Sequence, residues 1–425
     1  MGSLSPAESD AAIPELVRAS FAHALEADDV YLYAAAAPPL RLDDDPKGFP
    51  QHAHLVPQLA EKPAVPPKTP DLRTRRERDV LEGPEYGKGE KILQLEQDGL
   101  DYALIHNLHA LFPEHMMAVP IFGERPFRPQ TSDLTEQDLY VAWRVVNAYA
   151  QDGRTETVMF FNGGPLAGAS QPHLHMQFCP FQYGMAPAPE ALARSLPEDE
   201  LSASPAAGTG ADGPPRPAPR LPLPWTQFCL PLPRLRSSED GSASSGNATL
   251  SSAELFATYQ RLLRTAREYV DSLAATGDTA TISNGSHADA ASPYNNGTSS
   301  TDTPSTATEA NRARVPPAGP KRNSYNLFLT SRHMHLVPRT DRLVSIPRTP
   351  HAHPSPTPGD LDRASWTNGA PDPAPLRISL NGLVYLGYWH VASRADWELV
   401  RSAGVGEVLT RAAYVNEEYG EERRK

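Results

Sequence analysis

Cysteine is scarce in this 425-residue chain: Cys179 and Cys229 are the only two. Neither belongs to a Cys-x-x-Cys pair, which argues against a zinc ribbon or a thioredoxin-like site, and a disulfide framework would need more of them. No apolar run approaches the roughly 20 residues that a membrane-crossing helix needs. The opening stretch "MGSLSPAESDAAIPEL" has no basic n-region and no apolar h-region, so no secretory signal is read there. It begins Met-Gly, but Pro6 stands where a myristoylation motif wants Ser or Thr. Without secretion, the sequons at Asn247, Asn284 and Asn296 are chance products of Ser/Thr/Asn-rich sequence. The expected compartment is the cytoplasm, with the nucleus also open. Basic charge is short as well: 39 Lys and Arg face 51 Asp and Glu, for a net charge of −12. With no strong basic block, a dedicated nucleic-acid binder is not expected, although a nucleotide ligand remains open. No Gly-x-Gly-x-x-Gly follows a strand, and there is no Gly-Lys-Ser/Thr phosphate loop.

Proline, by contrast, is abundant, with 45 residues. Much of it lies where the apolar content is too low to offset the entropy of ordering. Residues 186–220, 276–320 and 348–373 therefore read as disordered insertions. The first separates an N-terminal half, 1–185, from a C-terminal half, 221–425. Three amphipathic helices are expected. One runs near Pro14–Ala27 with Leu16, Val17, Phe21 and Leu25 on one face. A second starts at the cap-like Thr135-x-x-Asp138, and a third at the capping-box pattern Ser251-x-x-Glu254. Strand-like runs fall into an early group, Lys91–Gln97, Asp101–Asn107, His115–Pro120, Val158–Asn162 and His173–Phe178. A later group comprises "FCLPLP", "YNLFLTSRHMHLVP" and "VYLGYWHVAS". Loop signals rather than regular helices separate several of them. The expectation is an α+β fold with a mostly antiparallel sheet.

The segment "QPHLHMQF", Gln171–Phe178, carries the chemistry. Side chains alternate along a strand, so His173, His175 and Gln177 share one face while Leu174, Met176 and Phe178 share the other. His-x-His alone is weak evidence, because it recurs at His52/His54, His333/His335 and His351/His353. Structure, incidental metal binding and catalysis all fit the bare triplet. What distinguishes it is the preceding "FFNGGPLAGASQ", with Asn162, Gly163, Gly164, Gly168, Ala169, Ser170 and Gln171. Glycines let backbone N–H groups approach an anion, and Ser170 and Gln171 add side-chain donors. Neutral imidazole is a good nucleophile toward phosphorus, and a glutamine amide donates to developing phosphate charge. A phosphate cradle beside a nucleophile is the coherent reading. No metal-ligand set is read from the sequence.

At this point the residues resemble a family. "NGGPLAGASQPHLHMQF" is similar to the active-site segment of the fungal diadenosine tetraphosphate phosphorylases, or ATP adenylyltransferases. These form the His-x-His-x-Gln transferase branch of the histidine triad superfamily. "HLVPQLAEKP" (His54–Pro63), "IHNLHALFPEHMMAVP" (Ile105–Pro120), "SDLTEQDL", "FCLPLP", "SYNLFLTSRHMHLVPR" and "ISLNGLVYLGYWHVAS" match in type and order. The fold implied is a histidine-triad-like core. The implied reaction splits diadenosine tetraphosphate into ATP and an adenylyl group on His175; inorganic phosphate then takes the AMP as ADP. Gln177 is implied to hydrogen-bond the α-phosphate and His173 to orient the nucleophile. The glycine loop, Lys62, Asn107 and Arg332 are implied substrate contacts. Leu108, Pro172 and His333 depart from the family pattern, where lysine, aspartate and tryptophan are expected. His115 reads equally as structural or as part of the site. The implied partners are dinucleoside polyphosphates, ATP, ADP and phosphate, with Mg or Mn accompanying the polyphosphate and no tightly bound cofactor. The rivals are a hexose-1-phosphate uridylyltransferase-like enzyme, a hydrolase, and a non-catalytic metal- or nucleotide-binding protein. The oligomeric state is not legible.

Overall fold

The structure, a computed structural model, describes residues 10–33, 40–41, 51–57, 81, 91–121, 128–181, 186–201, 218–233, 250–276, 323–348, 374–417 and 419. The alternating stretches form eight strands of one sheet: Lys91–Gln97 (β1), Leu100–His106 (β2), Met116–Ile121 (β3), Thr157–Gly163 (β4), Met176–Pro180 (β5), Phe228–Pro231 (β6), Tyr325–Leu329 (β7) and His333–Pro338 (β8). Asp98 and Gly99 take φ of 49° and 76°, the left-handed pair that a tight hairpin turn between β1 and β2 demands. The spatial order is β6-β8-β7-β4-β5-β3-β2-β1. Every neighbouring pair is antiparallel, as the α+β expectation requires. Away from this sheet, His52–Leu55 pairs in parallel with Tyr388–Val391.

Among the helices that accompany the sheet are Ile13–Glu26 (α1), Glu136–Asp152 (α2), Ala188–Ser195 (α3) and Ser252–Thr276 (α4). Their starts follow local chemistry. Thr135 and Asp138 close a reciprocal capping box on α2, and Ser251 and Glu254 bond in the same way before α4. The buried line of α1 runs Ile13, Val17, Phe21 and Ala24, so Leu16, expected on that face, is left 45% exposed. None of the helices among the described residues is long and apolar enough to cross a membrane.

The period-two alternation divides the sheet. Met159, Phe161, Met176, Phe178, Leu327 and Leu336 pack with α1, α2 and α4 in one core. Val158, Phe160, Cys179, Cys229, Phe328 and Val337 face the other way, against Leu380–Leu386, Trp389, Trp397 and Val400–Ala413. Each fully buried large aliphatic or phenyl side chain stabilises this arrangement by about 1.5–3 kcal/mol. The buried Asp138 joins the layers. It accepts from Tyr102 Oη at 2.8 Å and from Arg128 at 2.7 Å, in addition to its role in the cap.

The expectation of disorder over 186–220 is corrected in part. Ala188–Ser195 is helical, because Ala188 and Ala193 are buried and Glu190 is anchored by Arg194, His333 and His335. Ala/Pro composition conceals that polar anchor. Residues 202–217, 277–322 and 349–373, which hold most of the three expected insertions, lie outside the described residues.

Burial also sets a pH response. His54, His106 and His115 are all buried, and desolvation lowers their pKa values from 6.5 to about 4, about 4 and about 3. Unfolding returns these imidazoles to water, where they bind protons below about pH 6.5. Stability is therefore full above that pH and falls as pH drops toward about 4, by up to about 1.4 kcal/mol per pH unit for each histidine. Thermal melts across this range are expected to show a flat melting temperature at neutral pH and a steep decline below it; a melting temperature unchanged down to about pH 4.5 would contradict this.

Candidate active site

Leu174, Met176 and Phe178 enter the helix-side core, and Gln177 lies opposite Phe160 in the row that faces the other way, as alternation requires. The strand itself begins later than the sequence suggests. β5 starts at Met176, and His173 is bridged to Pro129 instead of to a sheet strand. The reason is a second partner: Leu174 N–H donates to Arg128 O at 2.8 Å and Gln130 N–H to Pro172 O at 2.7 Å. Arg128, held by Asp138, thus brings 128–130 alongside 172–174.

The Gln130 side chain then fixes the backbone of His175. Its Oε1 accepts from His175 N–H at 2.8 Å, and its Nε2 donates to His175 O at 3.2 Å and to Asn162 O at 3.1 Å. One buried amide thereby locks the end of β4 to the start of β5. The His175 ring is set by a local bond: Nδ1 donates to His173 O at 2.8 Å. That bond puts the ring proton on Nδ1 and the lone pair on Nε2. His173 is itself anchored, with Nε2 donating to Pro120 O at 3.2 Å.

Gln177 is oriented from the other side. His115 Nε2 lies 3.0 Å from Gln177 Oε1, and Leu111 N–H points at His115 Nδ1 at 3.5 Å. Burial keeps His115 neutral, so Nε2–H donates to the amide oxygen and the Gln177 NH2 remains as a donor. His115, read from the sequence as either structural or part of the site, thus touches Gln177. Phe112 packs on its ring at 4.5 Å between centroids. His54 and His390 stack nearby at 5.2 Å, and burial also keeps both of them neutral.

The loop before His173 divides in two. Gly164 N–H donates to Gln130 O, Leu166 N–H to Ser324 Oγ and Ala167 N–H to Gly164 O, so these donors serve the fold. Gly168, Ala169, Ser170 and Gln171 make no hydrogen bond among the described residues, and Ser170 and Gln171 are exposed. The open donors are therefore the last four residues of the loop. Glycine is required at two positions: Gly164 and Gly168 take φ of 85° and 86°. A Cβ on Gly168 would meet Leu380 O at 2.6 Å, and one on Gly164 would collide with Asn323 O.

Other expected contacts fall elsewhere. Asn162 is buried, with Oδ1 accepting from Asn326 Nδ2 at 2.8 Å and from Gly382 N–H at 2.9 Å, so its side chain is a packing element below the loop. Gly163 ends β4 opposite Tyr325. Asn107 accepts from His109 N–H at 3.0 Å, the bond of a turn former, while its Nδ2 stands 3.4 Å from His115 Nε2. Arg332 lies in the β7–β8 turn, past the pairing of Leu329 with Met159, whereas the loop leaves β4 at its other end beyond Asn162. The structure does not bring Arg332 to His175. Lys62 lies outside the described residues.

Two contributors escape the sequence reading. Gln130 sits in an irregular stretch with no motif. Arg339 is fully buried beneath the loop and donates to Asn326 Oδ1, Ala412 O, Asp341 O and Leu380 O, with Tyr385 stacked at 4.7 Å. Asn326 in turn donates to Ala167 O at 3.0 Å, so a guanidinium surrounded by carbonyl and amide oxygens underlies the glycine loop. Burial lowers its pKa from the ordinary arginine value.

The fold is that of the yeast Ap4A phosphorylase Apa2, whose crystal structure in complex with Ap4A aligns with a TM-score of 0.57 at 19% identity, over 95% of this chain and 97% of that one. The same protein in complex with AMP aligns at 0.56, again at 19% identity, over 95% and 96% of the two chains. Two family models match in tandem, the Ap4A phosphorylase N-terminal domain over residues 94–194 and the ATP adenylyltransferase C-terminal domain over residues 221–415. Together they account for more than half of the chain, which belongs to the Ap4A phosphorylase family. Among relatives from Saccharomyces cerevisiae, Protein APA1 is 29% identical over 137 residues, 31% of this chain. Diadenosine 5',5'''-P1,P4-tetraphosphate phosphorylase 2 is 34% identical over 100 residues, 21% of this chain. The matched stretches span 39% and 29% of those two relatives.

Removing the Gln130 side chain would leave His175 N–H, His175 O and Asn162 O without this partner. Gln130→Ala is expected to lower unfolding free energy by about 2–4 kcal/mol in urea titration, since an orphaned buried backbone group costs about 1–3 kcal/mol. A loss below about 0.5 kcal/mol would contradict the assigned clamp.

Proposed function

We propose that this protein is an Ap4A phosphorylase acting through a covalent adenylyl-histidine. The observation that carries the reading is the His175 Nδ1–His173 O bond, which sets the Nε2 lone pair as the nucleophile beside a strip of open donors. Nε2 attacks the α-phosphorus of diadenosine tetraphosphate; an N–P bond forms, the P–O bond to the leaving triphosphate breaks, and ATP departs. Phosphate oxygen then attacks the same phosphorus from solvent, the N–P bond breaks, and ADP leaves with the His175 lone pair restored.

The other residues act by position and charge, the main levers of phosphoryl-type transfer. The Gln177 NH2, aimed by His115, donates to a non-bridging oxygen of the phosphorus under attack. Gly168–Gln171 donate to the phosphate chain, and the buried Arg339 charge makes the loop region favourable to anions. His173 holds the carbonyl that fixes the nucleophile's tautomer. Mg or Mn would enter with the polyphosphate. Among the described residues, the one cluster of three ligand-type side chains is Glu190, His333 and His335, which is not at this loop, so no step is assigned to a protein-held cation.

The test is nucleotide analysis after incubation with diadenosine tetraphosphate, with and without phosphate. ATP plus ADP in the presence of phosphate is expected, with the activity abolished in His175→Ala. His115→Ala is expected to lower kcat about 10- to 100-fold with little change in KM, as loss of one oriented donor does. Turnover that survives His175→Ala would overturn the reading. Turnover of UDP-hexose without diadenosine tetraphosphate would favour a uridylyl enzyme, and AMP release as fast without phosphate as ADP release with it would favour a hydrolase.

A further inference from the structure

We propose that Glu190, His333 and His335 bind one divalent transition-metal ion of the zinc class, at a site separate from His175. The three ligand atoms lie within 4.8 Å of one another. His333 Nδ1 stands 3.1 Å, and His335 Nε2 3.0 Å, from the same oxygen, Glu190 Oε2. With metal–ligand bonds of about 2.0–2.2 Å, the edge of a tetrahedral site is about 3.3 Å, so small shifts admit an ion between these atoms. Two imidazoles and a carboxylate form a borderline donor set suited to zinc, cobalt or iron, and unsuited to magnesium or calcium.

The ligands are held as such sites require. His333 and His335 are two apart on β8 and therefore face the same side of the sheet. Glu190, from α3, is oriented by Arg194, whose Nε donates to Oε1 at 2.7 Å; Oε2 lies within 3.1 Å of both imidazoles, and His333 Nδ1 is also 3.2 Å from Oε1. Such outer partners commonly orient metal ligands. Ligation through His335 Nε2 moves its ring proton to Nδ1, where the Gln227 amide lies 3.4 Å away. That amide must turn its oxygen to the ring, giving up its present bond from Trp225 Nε1. All three ligand residues are at most 7% exposed. Without an ion, two imidazole N–H groups donating to one carboxylate would also satisfy the cluster, and this is the alternative the test separates.

The site lies at a seam. Glu190 belongs to the stretch matching the N-terminal family domain, and the two histidines to the stretch matching the C-terminal one. The cross-strand row Gln177–Phe160–Phe328–His335 puts it on the same sheet face as Gln177, three strand spacings or about 14 Å away. A bound ion would clamp α3 and the end of the β5 segment to β8.

The experiment uses the full chain with no histidine tag and no metal-affinity step, because three other His-x-His pairs invite adventitious binding. The protein is stripped with chelator, reloaded with Zn(II) or Co(II), desalted and assayed by elemental analysis and visible absorption. About one ion per chain is expected, with the intense visible bands of low-coordinate Co(II) and a melting temperature that rises on reloading. Glu190→Gln and His333→Gln are expected to weaken retention at least about tenfold, whereas the double variant His351→Gln/His353→Gln keeps it. Retention below about 0.1 ion per chain in the wild-type protein, or equal retention in the site variants, would overturn the proposal. Should the site variants fail to fold, the wild-type cobalt spectrum decides alone: a purely octahedral, weakly absorbing ion contradicts the site.

Discussion

The local geometry depends on one buried amide. Gln130 accepts from His175 N–H and donates to both His175 O and Asn162 O, joining the strand that leads into the glycine loop with the strand that leaves it. The loop between them has exposed donors and two left-handed glycines, so it cannot fix its own ends. Gln130 is in turn held by the pairing of 128–130 with 172–174, and that strip by Arg128 on the buried carboxylate of Asp138. A helix cap is thereby connected to the backbone of His175. Each bond contributes only about 1 kcal/mol, but breaking one leaves a buried group unsatisfied, which costs more.

The sheet divides its labour by face. The helix side is apolar from Met159 to Leu336 and supplies the packing free energy. The opposite face carries Gln177 of β5 and, farther across, the imidazoles of β8, beneath a layer formed by the C-terminal segment. This separation lets polar groups be buried while their partners are chosen one by one: Gln177 with His115, Asn162 with Asn326, His335 with Glu190. Neutral, buried imidazoles recur here because desolvation disfavours their charged forms.

Local pattern made part of this legible. Alternation correctly separates Met176 and Phe178 from Gln177, and the capping boxes at Thr135 and Ser251 mark two helix starts. Interactions distant in sequence were not legible. Gln130 reaches His175 across 45 residues and Glu190 reaches His333 across 143, and nothing near either residue signals a partner. Ala188–Ser195 therefore reads as part of a disordered stretch, since its order comes from a tertiary anchor rather than from apolar content. Asn162 and Arg332 illustrate the converse: each has donors suited to a phosphate, but the register assigns one to packing and the other to a distant turn.

The central claim, that His175 Nε2 takes the adenylyl group, is tested most directly by intact-protein and peptide mass spectrometry. The protein is mixed with diadenosine tetraphosphate in phosphate-free buffer and quenched at alkaline pH, where a phosphoramidate survives. The account predicts a mass increase of one adenylyl group, located on His175 and discharged as ADP when phosphate is added before the quench. ATP release with His175 unmodified, or an adduct on another residue, would contradict it.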